Sequence, residues 1–425
     1  MHRIIAAVLA ATTCAAAAHA QDTSASPASA AAPAFSLEDA VSAAGGSAPA
    51  IEAAEAGVTA AQAGRRVAGL RPNPTVTTQV ENVVGSGPYK GFDQAETTVS
   101  FAVPIELGGK RSARIAVADA QTQRALLTSA ITQADVRLQV TQLYVETVAA
   151  KWRAFTARDQ ARIATDAFSA ARIRVQAGRA SPIEEQRAAV ARLNAEAGAE
   201  RAQRLADAAE ANLERRVGRQ VHGQLDMTAL DRVPPVTYGP IRTPDAAGTL
   251  TLAAADADLA YADAGVRLAR SQRVPDINVG PGLRRLEATN DTAAVFTVSI
   301  PIPVFNSGRA AVDQASAERS RAEAQRRVTA LDVEQRITNA QAEVDNAATA
   351  ARNANGPALA AAQEAARIAR IGYREGKFGQ LELLDAERTL AETRIAAIDA
   401  LATYHNAKAQ LERLTAPAPT PEQGN

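Results

Sequence analysis

Residues 98–110 read TVSFAVPIELGGK, and residues 297–309 read TVSIPIPVFNSGR. Thr, Val, Ser, a proline (Pro104, Pro303) and a glycine (Gly109, Gly308) recur in place, 199 residues apart (98 to 297). Each copy begins as an alternating strand, passes through Pro and Gly punctuation, and enters a very long helical pattern. Self-similarity at a fixed long offset sets the architecture before any local feature does. The chain is two copies of one unit of about 200 residues.

Working outward, residues 262–275, ADAGVRLARSQRVP, match residues 61–74, AQAGRRVAGLRPNP, so the helix before each strand is duplicated too. Residues 75–84 alternate, with Val76, Thr78 and Val80 on one side and Thr77, Gln79 and Glu81 on the other. Gly85-Ser86-Gly87-Pro88 is turn chemistry, and residues 95–103 resume the alternation. This predicts a hairpin at about 75–103, with a second at about 276–301. The strands approach the ~9–11 residues that a tilted membrane strand requires.

Beyond Gly109, Leu127, Ile131, Ala134, Leu138, Thr141, Val145, Val148, Trp152 and Phe155 step by four and three, a heptad seam. The second copy carries Ala330, Val333, Ile337, Ala340, Val344, Ala347 and Ala351 in register with it. Helices of this length run on the order of 100 Å, beyond any globular domain. Turns are expected at a first tip, Gly178, Arg179, Ala180, Ser181 and Pro182, and at a second, residues 376–380, each followed by a return helix. The fold class is mainly α with a small β part. The first repeat spans 36–218, an irregular connector 219–248, the second repeat 249–415, and a disordered tail 416–425.

Composition agrees with long helices. Aromatics are only 4% of the 425 residues, Trp152 is the sole tryptophan, and Ala, Glu, Gln, Arg and Leu dominate. Lys plus Arg equals Asp plus Glu at 46 each, so no global field attracts nucleic acid. Residues 1–20 read as an export signal, with a basic start, an apolar run and Ala18-His19-Ala20 before a cut at Gln21. Cys14 leaves with it, or alternatively marks a lipid anchor at the cut. Residues 21–35 form a Ser, Ala and Pro linker. No later run reaches the ~20 apolar residues of a membrane helix, so an exported chain that enters a membrane does so as strands.

Two hairpins give four strands with two open edges, which lipid does not tolerate and water does not tolerate for long, so either the edges are covered or several chains close a barrel together. Three chains supply twelve strands, an even number within the barrel range. A trimeric tube, part barrel and part helical, satisfies both strands and helices.

The order signal, helix, Arg71-Pro72-Asn73-Pro74, hairpin, Pro104-Ile105-Glu106-Leu107-Gly108-Gly109-Lys110-Arg111, long helix, tip and return helix, then repeated, resembles the TolC family of outer-membrane efflux proteins. The wording of these two motifs resembles its CzcC-like heavy-metal branch (cobalt, zinc, cadmium, nickel). The resemblance implies a homotrimeric conduit in the outer membrane with its helices in the periplasm. It also implies docking to a periplasmic adaptor, or membrane fusion protein, and to an inner-membrane proton-driven pump of the resistance-nodulation-division type.

Glu382 and Asp385, three apart, share a helix face beside the second tip, and three chains would bring six carboxylates to one constriction. The resemblance places an acidic ring at these positions and a tyrosine matching Tyr373 in the closing network. The family's gating arginine position is Phe378 here. The tips, Gly178 to Pro182 and Gly376, Lys377, Phe378 and Gly379, are the expected adaptor contacts.

No cofactor or metal site is expected. Without the signal the chain keeps no cysteine, two histidines (His222, His405) and Met227, so soft ligands are nearly absent. Leu107-Gly108-Gly109-Lys110-Arg111-Ser112 lacks the first glycine and the Ser or Thr of a phosphate loop. No nucleophile, base and orienter set is visible, which excludes an enzyme. Other readings of the same pattern are an exit duct for drugs or type I protein secretion, and a soluble periplasmic coiled-coil adaptor. Adaptors, however, carry one helical hairpin and a compact β-domain.

Overall fold

The computed structural model describes residues 34–221, 225–235 and 245–419. The export signal, His222 and most of the tail lie outside these residues. Ser36 and Asp39 cap each other reciprocally: Ser36 N–H donates to the Asp39 carboxylate at 3.0 Å, and Asp39 N–H donates to Ser36 Oγ at 3.2 Å. This starts α1 (Leu37–Ser47). Pro49, whose missing N–H is harmless in a first turn, opens α2 (Pro49–Ala68).

The first unit continues with β1 (Thr75–Glu81), β2 (Glu96–Ile105), α3 (Lys110–Gln176) and α4 (Pro182–Val217). The second repeats it as α5 (Leu250–Gln272), β3 (Ile277–Leu286), β4 (Asp291–Ser299), α6 (Arg309–Asn353), α7 (Leu359–Arg374) and α8 (Gln380–Leu414). At 67 residues α3 is about 100 Å long. The second rod is interrupted where the sequence pattern predicts continuity: Ala354–Ala358 form a π turn around Pro357. Proline has no N–H to donate and its ring collides with the carbonyl four residues back, so the turn widens.

Gly109 (φ 73°) and Gly308 (φ 70°) precede the two rods in the left-handed region. A side chain is strained there, which is why both copies place glycine where the extended chain turns into the helix. The rods and return helices form one layer. In the half next to the strands α2 packs on α3, α3 on α5 and α5 on α6; in the far half α4 packs on α3, and α8 on α3, α6 and α7.

The largest core is a girdle at mid-length. Phe35, Ala40 and Ala44, Val136 to Ala149, Leu213 and Val217, Leu225 and Leu230, Ala347 to Ala351, and Leu401 to Tyr404 meet there. Two boundary expectations are corrected at its rim. Phe35, placed in the linker, is buried and bridges to Leu225, while 416–418, placed in the tail, pair with the start of α5 (Leu250 N–H to Ala416 O, 3.0 Å).

The second heptad seam is a true core line, with Val333, Ile337, Ala347 and Ala351 buried. The first is displaced. Val145 and Val148 are buried, but Phe155 is exposed, and the buried line runs through Val136, Val140, Tyr144, Thr147 and Ala154. The cause is that α3 has neighbours on both flanks, so burial splits to either side of its most apolar stripe.

The strands form one antiparallel sheet, order β1-β2-β3-β4, in which the hairpins of the two repeats join through β2 and β3. Its two outer strands, β1 and β4, are open edges.

Candidate functional site

Register fixes which side chains share a sheet face. Val76 pairs with Phe101, Val99 with Leu283, Val279 with Val298, and Pro281 with Phe296, so all eight lie on one face. Most are large, apolar and exposed: Val76 69%, Phe101 43%, Leu283 61%, Phe296 69%. The opposite face presents Thr75, Thr77, Gln79, Thr98, Ser100, Gly280, Gly282, Asn278 and Thr297. In β2 this face is less exposed than the apolar one, as expected on the inside of a curve where side chains crowd. Gly280 and Gly282 allow the close approach: a Cβ on Gly282 would sit 2.9 Å from Val99 O. An apolar convex face and a polar concave face, with two free edges, are what a segment of a membrane barrel requires.

An ionic joint ties this sheet to the helices. Arg114 forms a two-pronged pair with Glu106, one prong at 3.0 Å, and reaches the carbonyls of Ala68 and Leu70 at the end of α2. Lys110 Nζ lies 2.7 Å from Asp276, whose carboxylate also accepts Leu107 N–H. Arg114 holds Glu106 below the usual carboxylate range. Burial pushes Asp276 up, but Lys110 and the Leu107 N–H outweigh it and hold Asp276 low. The PIELGGKR wording therefore describes a joint.

The two tips are built alike. Arg179 N–H donates to Arg174 O at 2.8 Å and Lys377 N–H to Gly372 O at 2.8 Å, closing the ends of α3 and α7 around Gly178 (φ 69°) and Gly376 (φ 72°). They then diverge. Ser181 caps α4 with its hydroxyl, accepting from Ile183 N–H at 3.5 Å, and Pro182 follows, whereas α8 starts from Gly379 with no side-chain cap. Phe378 folds back onto Gly372, where a Cβ would lie 2.8 Å from the ring's Cγ. Tyr373 is half-buried beneath the Arg174 guanidinium, 5.4 Å above its ring.

Glu382 and Asp385 are both exposed on one face of the first turns of α8. Neither is a bare charge. Glu382 sits in the first turn with its carboxylate turned back over Gly379, where the helix dipole favours an anion. Asp385 pairs with Arg388 at 2.8 Å, and Arg388 also lies 3.7 Å from Glu392. Two features escaped sequence reasoning. One is the Phe378 seat, signalled only by a helix glycine six residues before an aromatic. The other is the pair between buried Glu387 and Arg370 (Nη2 to Oε2, 2.8 Å), which links α8 to α7 across the turn.

Among the described residues no three His, Cys, Asp or Glu side chains come together as a metal site, and no helix is long and apolar enough to cross a membrane. His405 is half-buried, with Nε2 3.0 Å from Leu230 O.

Comparison with known proteins bears on this geometry. Residues 40–219 and 246–416 match the family described as outer membrane efflux protein. The cobalt-zinc-cadmium resistance protein CzcC of Cupriavidus metallidurans is 30% identical over 398 residues, covering 91% of each chain. The nickel and cobalt resistance protein CnrC of the same species is 30% identical over 315 residues, 69% of each. Among solved structures, the open-state MtrE outer membrane channel of Neisseria gonorrhoeae superposes with a TM-score of 0.73 at 19% identity, over 89% of this chain and 88% of that one.

Proposed function

The chain belongs to the outer membrane efflux protein family, and from that premise we propose that three copies form the exit duct of a tripartite pump for divalent heavy-metal cations. Members of this family are transport channels of the outer membrane with a periplasmic helical tunnel, not enzymes. The observation that carries the proposal is the two-faced sheet: a lipid-compatible face, a polar concave face, and edges at β1 and β4 that further copies of the sheet would close. Twelve strands and a ring of rods follow from three protomers.

The metal cargo rests on the likeness to resistance proteins for cobalt, zinc, cadmium and nickel. The duct itself is passive, and energy and selection lie in an inner-membrane proton-driven pump reached through a periplasmic adaptor. The tips around Gly178 and Gly376 are the surfaces for that adaptor. Tyr373, under Arg174, and Phe378, seated on Gly372, form the latch of the periplasmic entrance, and Glu382 and Asp385 line it with six carboxylates.

The test is a deletion strain scored for growth on zinc, cobalt, cadmium and nickel salts and on organic toxins. Sensitivity confined to the metals, restored by the intact gene, is expected. Unchanged metal tolerance with lost drug or protein export would overturn the cargo.

A further inference from the structure

The polar face of the sheet carries one cluster that the proposed function leaves unused. Arg284, on β3, donates from Nη1 to Glu96 at 2.8 Å and from Nε to Thr98 Oγ1 at 2.9 Å. Its Nη2 lies 3.4 Å from Glu81. One guanidinium on β3 therefore bridges β2 and β1. Cα register puts Glu81 opposite Glu96, Glu96 opposite Leu286, and Leu286 opposite Asp291. Glu81, Glu96, Arg284 and Asp291 thus share the polar face at the end of the sheet remote from the helices. The neighbouring residue Arg285 points to the apolar face and pairs with Glu287 at 3.0 Å, away from the cluster.

These four are the charged side chains of that end of the polar face, and three are acids. Each protomer contributes three carboxylates and one guanidinium, a net charge of two negatives. We propose that Arg284 is a specificity-determining residue of the distal mouth, which holds down the negative field that favours departing cations by neutralising one carboxylate in three. This rests on the reading of the sheet as a barrel wall with its polar face inward. In a closed twelve-stranded wall the cluster is repeated three times around an opening with low-dielectric walls, where fixed charge acts strongly on mobile ions. A guanidinium fits this position better than an ammonium, because its planar fork serves two carboxylates at once.

The test uses the full-length trimer in planar bilayers, with reversal potentials measured across a KCl gradient at low ionic strength, where screening is weakest. Arg284→Gln is expected to raise the potassium-to-chloride permeability ratio about two-fold. Glu81→Gln with Glu96→Gln removes two charges where Arg284→Gln removes one, and is expected to lower it about four-fold. Arg284→Lys, which keeps the charge but not the fork, is expected to leave it unchanged while lowering the temperature at which the trimer dissociates. Channels of intact trimers whose ratio ignores Arg284→Gln and the double Gln variant would overturn the role, leaving Arg284 a strand stitch only. So would a shift with Arg284→Lys equal to that with Arg284→Gln. Detergent-extracted wild-type protein that proved a stable monomer with its strands shielded from lipid would overturn the barrel reading, and this inference with it.

Discussion

Gly372→Ala sets two effects of known size against each other at the second tip. Phe378 is 42% exposed, so its ring hides about three-fifths of its surface. On a side chain of roughly 200 Å² that is about 120 Å², worth a ceiling of about 3 kcal/mol at about 25 cal/mol per Å². A methyl group on Gly372 would occupy the place of the ring's edge. The helix backbone beneath cannot yield, so the ring must leave. Part of its burial returns when it settles elsewhere, so a loss of about 2 kcal/mol is expected. Against this, replacing glycine by alanine in a helix favours α7 by up to about 1 kcal/mol. The net expectation is destabilisation of the tip by about 1 kcal/mol, read as faster amide exchange at the end of α7 and the start of α8. The decisive control is the same change in a Phe378→Ala background, where nothing collides and only the helix gain remains. Gly372→Ala should then stabilise, a reversal of sign. If it stabilises in both backgrounds, Phe378 does not occupy that seat and the proposed latch loses its aromatic part.

Three further outcomes follow from buried groups. Arg370→Met leaves the carboxylate of Glu387, whose side chain is 3% exposed, without its cation; because Arg370 is itself 46% exposed, about 2 kcal/mol is expected rather than the full cost of breaking a buried pair. Adding Glu387→Leu should recover most of that loss in guanidinium unfolding, and a double variant as unstable as the single one would contradict it. Tyr144, whose phenol burial pushes up to about 12, donates to Phe35 O at 2.9 Å. Phe35 O also accepts Asp226 N–H, so Tyr144→Phe strands no carbonyl and should cost only about 1 kcal/mol in the same unfolding assay. His405 is held below its ordinary 6.5 mainly by burial, so the unfolded chain takes up the proton first. Its contribution is intact above pH about 6.5 and is lost as the pH falls from there through the folded value, and His405→Gln should flatten that limb of the stability profile.

The architecture was legible because it was written twice. A strand motif recurring 199 residues on, with glycine at the mouth of each rod, fixed the order of elements and the lengths of the rods. Alternation in residues 75–84 and 95–103 gave the faces of the first hairpin, since period two survives whatever the partners are. The joining of β2 to β3 was not legible, because pairing between repeats leaves no local signal. The split core of α3 was hidden for a related reason: a hydrophobic stripe reports the mean direction of burial, and a helix with neighbours on both flanks has two. At the entrance, spacing put Glu382 and Asp385 on one face, but it could not show that Arg388 already engages Asp385. Nor could it show that Phe378 is seated on Gly372, because the chain must turn through Gly376 before the two meet.

The places where the two repeats disagree separate the parts that hold from the parts that can move. The first unit enters its rod through Glu106, Lys110 and Arg114, all engaged in ion pairs. At the matching offset of 199 the second unit has Phe305, Arg309 and Asp313, and among the described residues these form no such set. Arg273 reaches Ser307 O at 3.3 Å there instead. The second rod also contains the π turn at Pro357, and its tip lacks the Ser-Pro start that fixes the first. Each difference lowers the cost of bending the second unit relative to the first. Motion at the periplasmic entrance is therefore expected in α7 and α8, with α3 and α4 as the fixed wall. Hydrogen exchange should show earlier opening of residues 359–390 than of the matching length around Gly178, and equal protection of the two tips would mean that the divergence of the repeats has another cause.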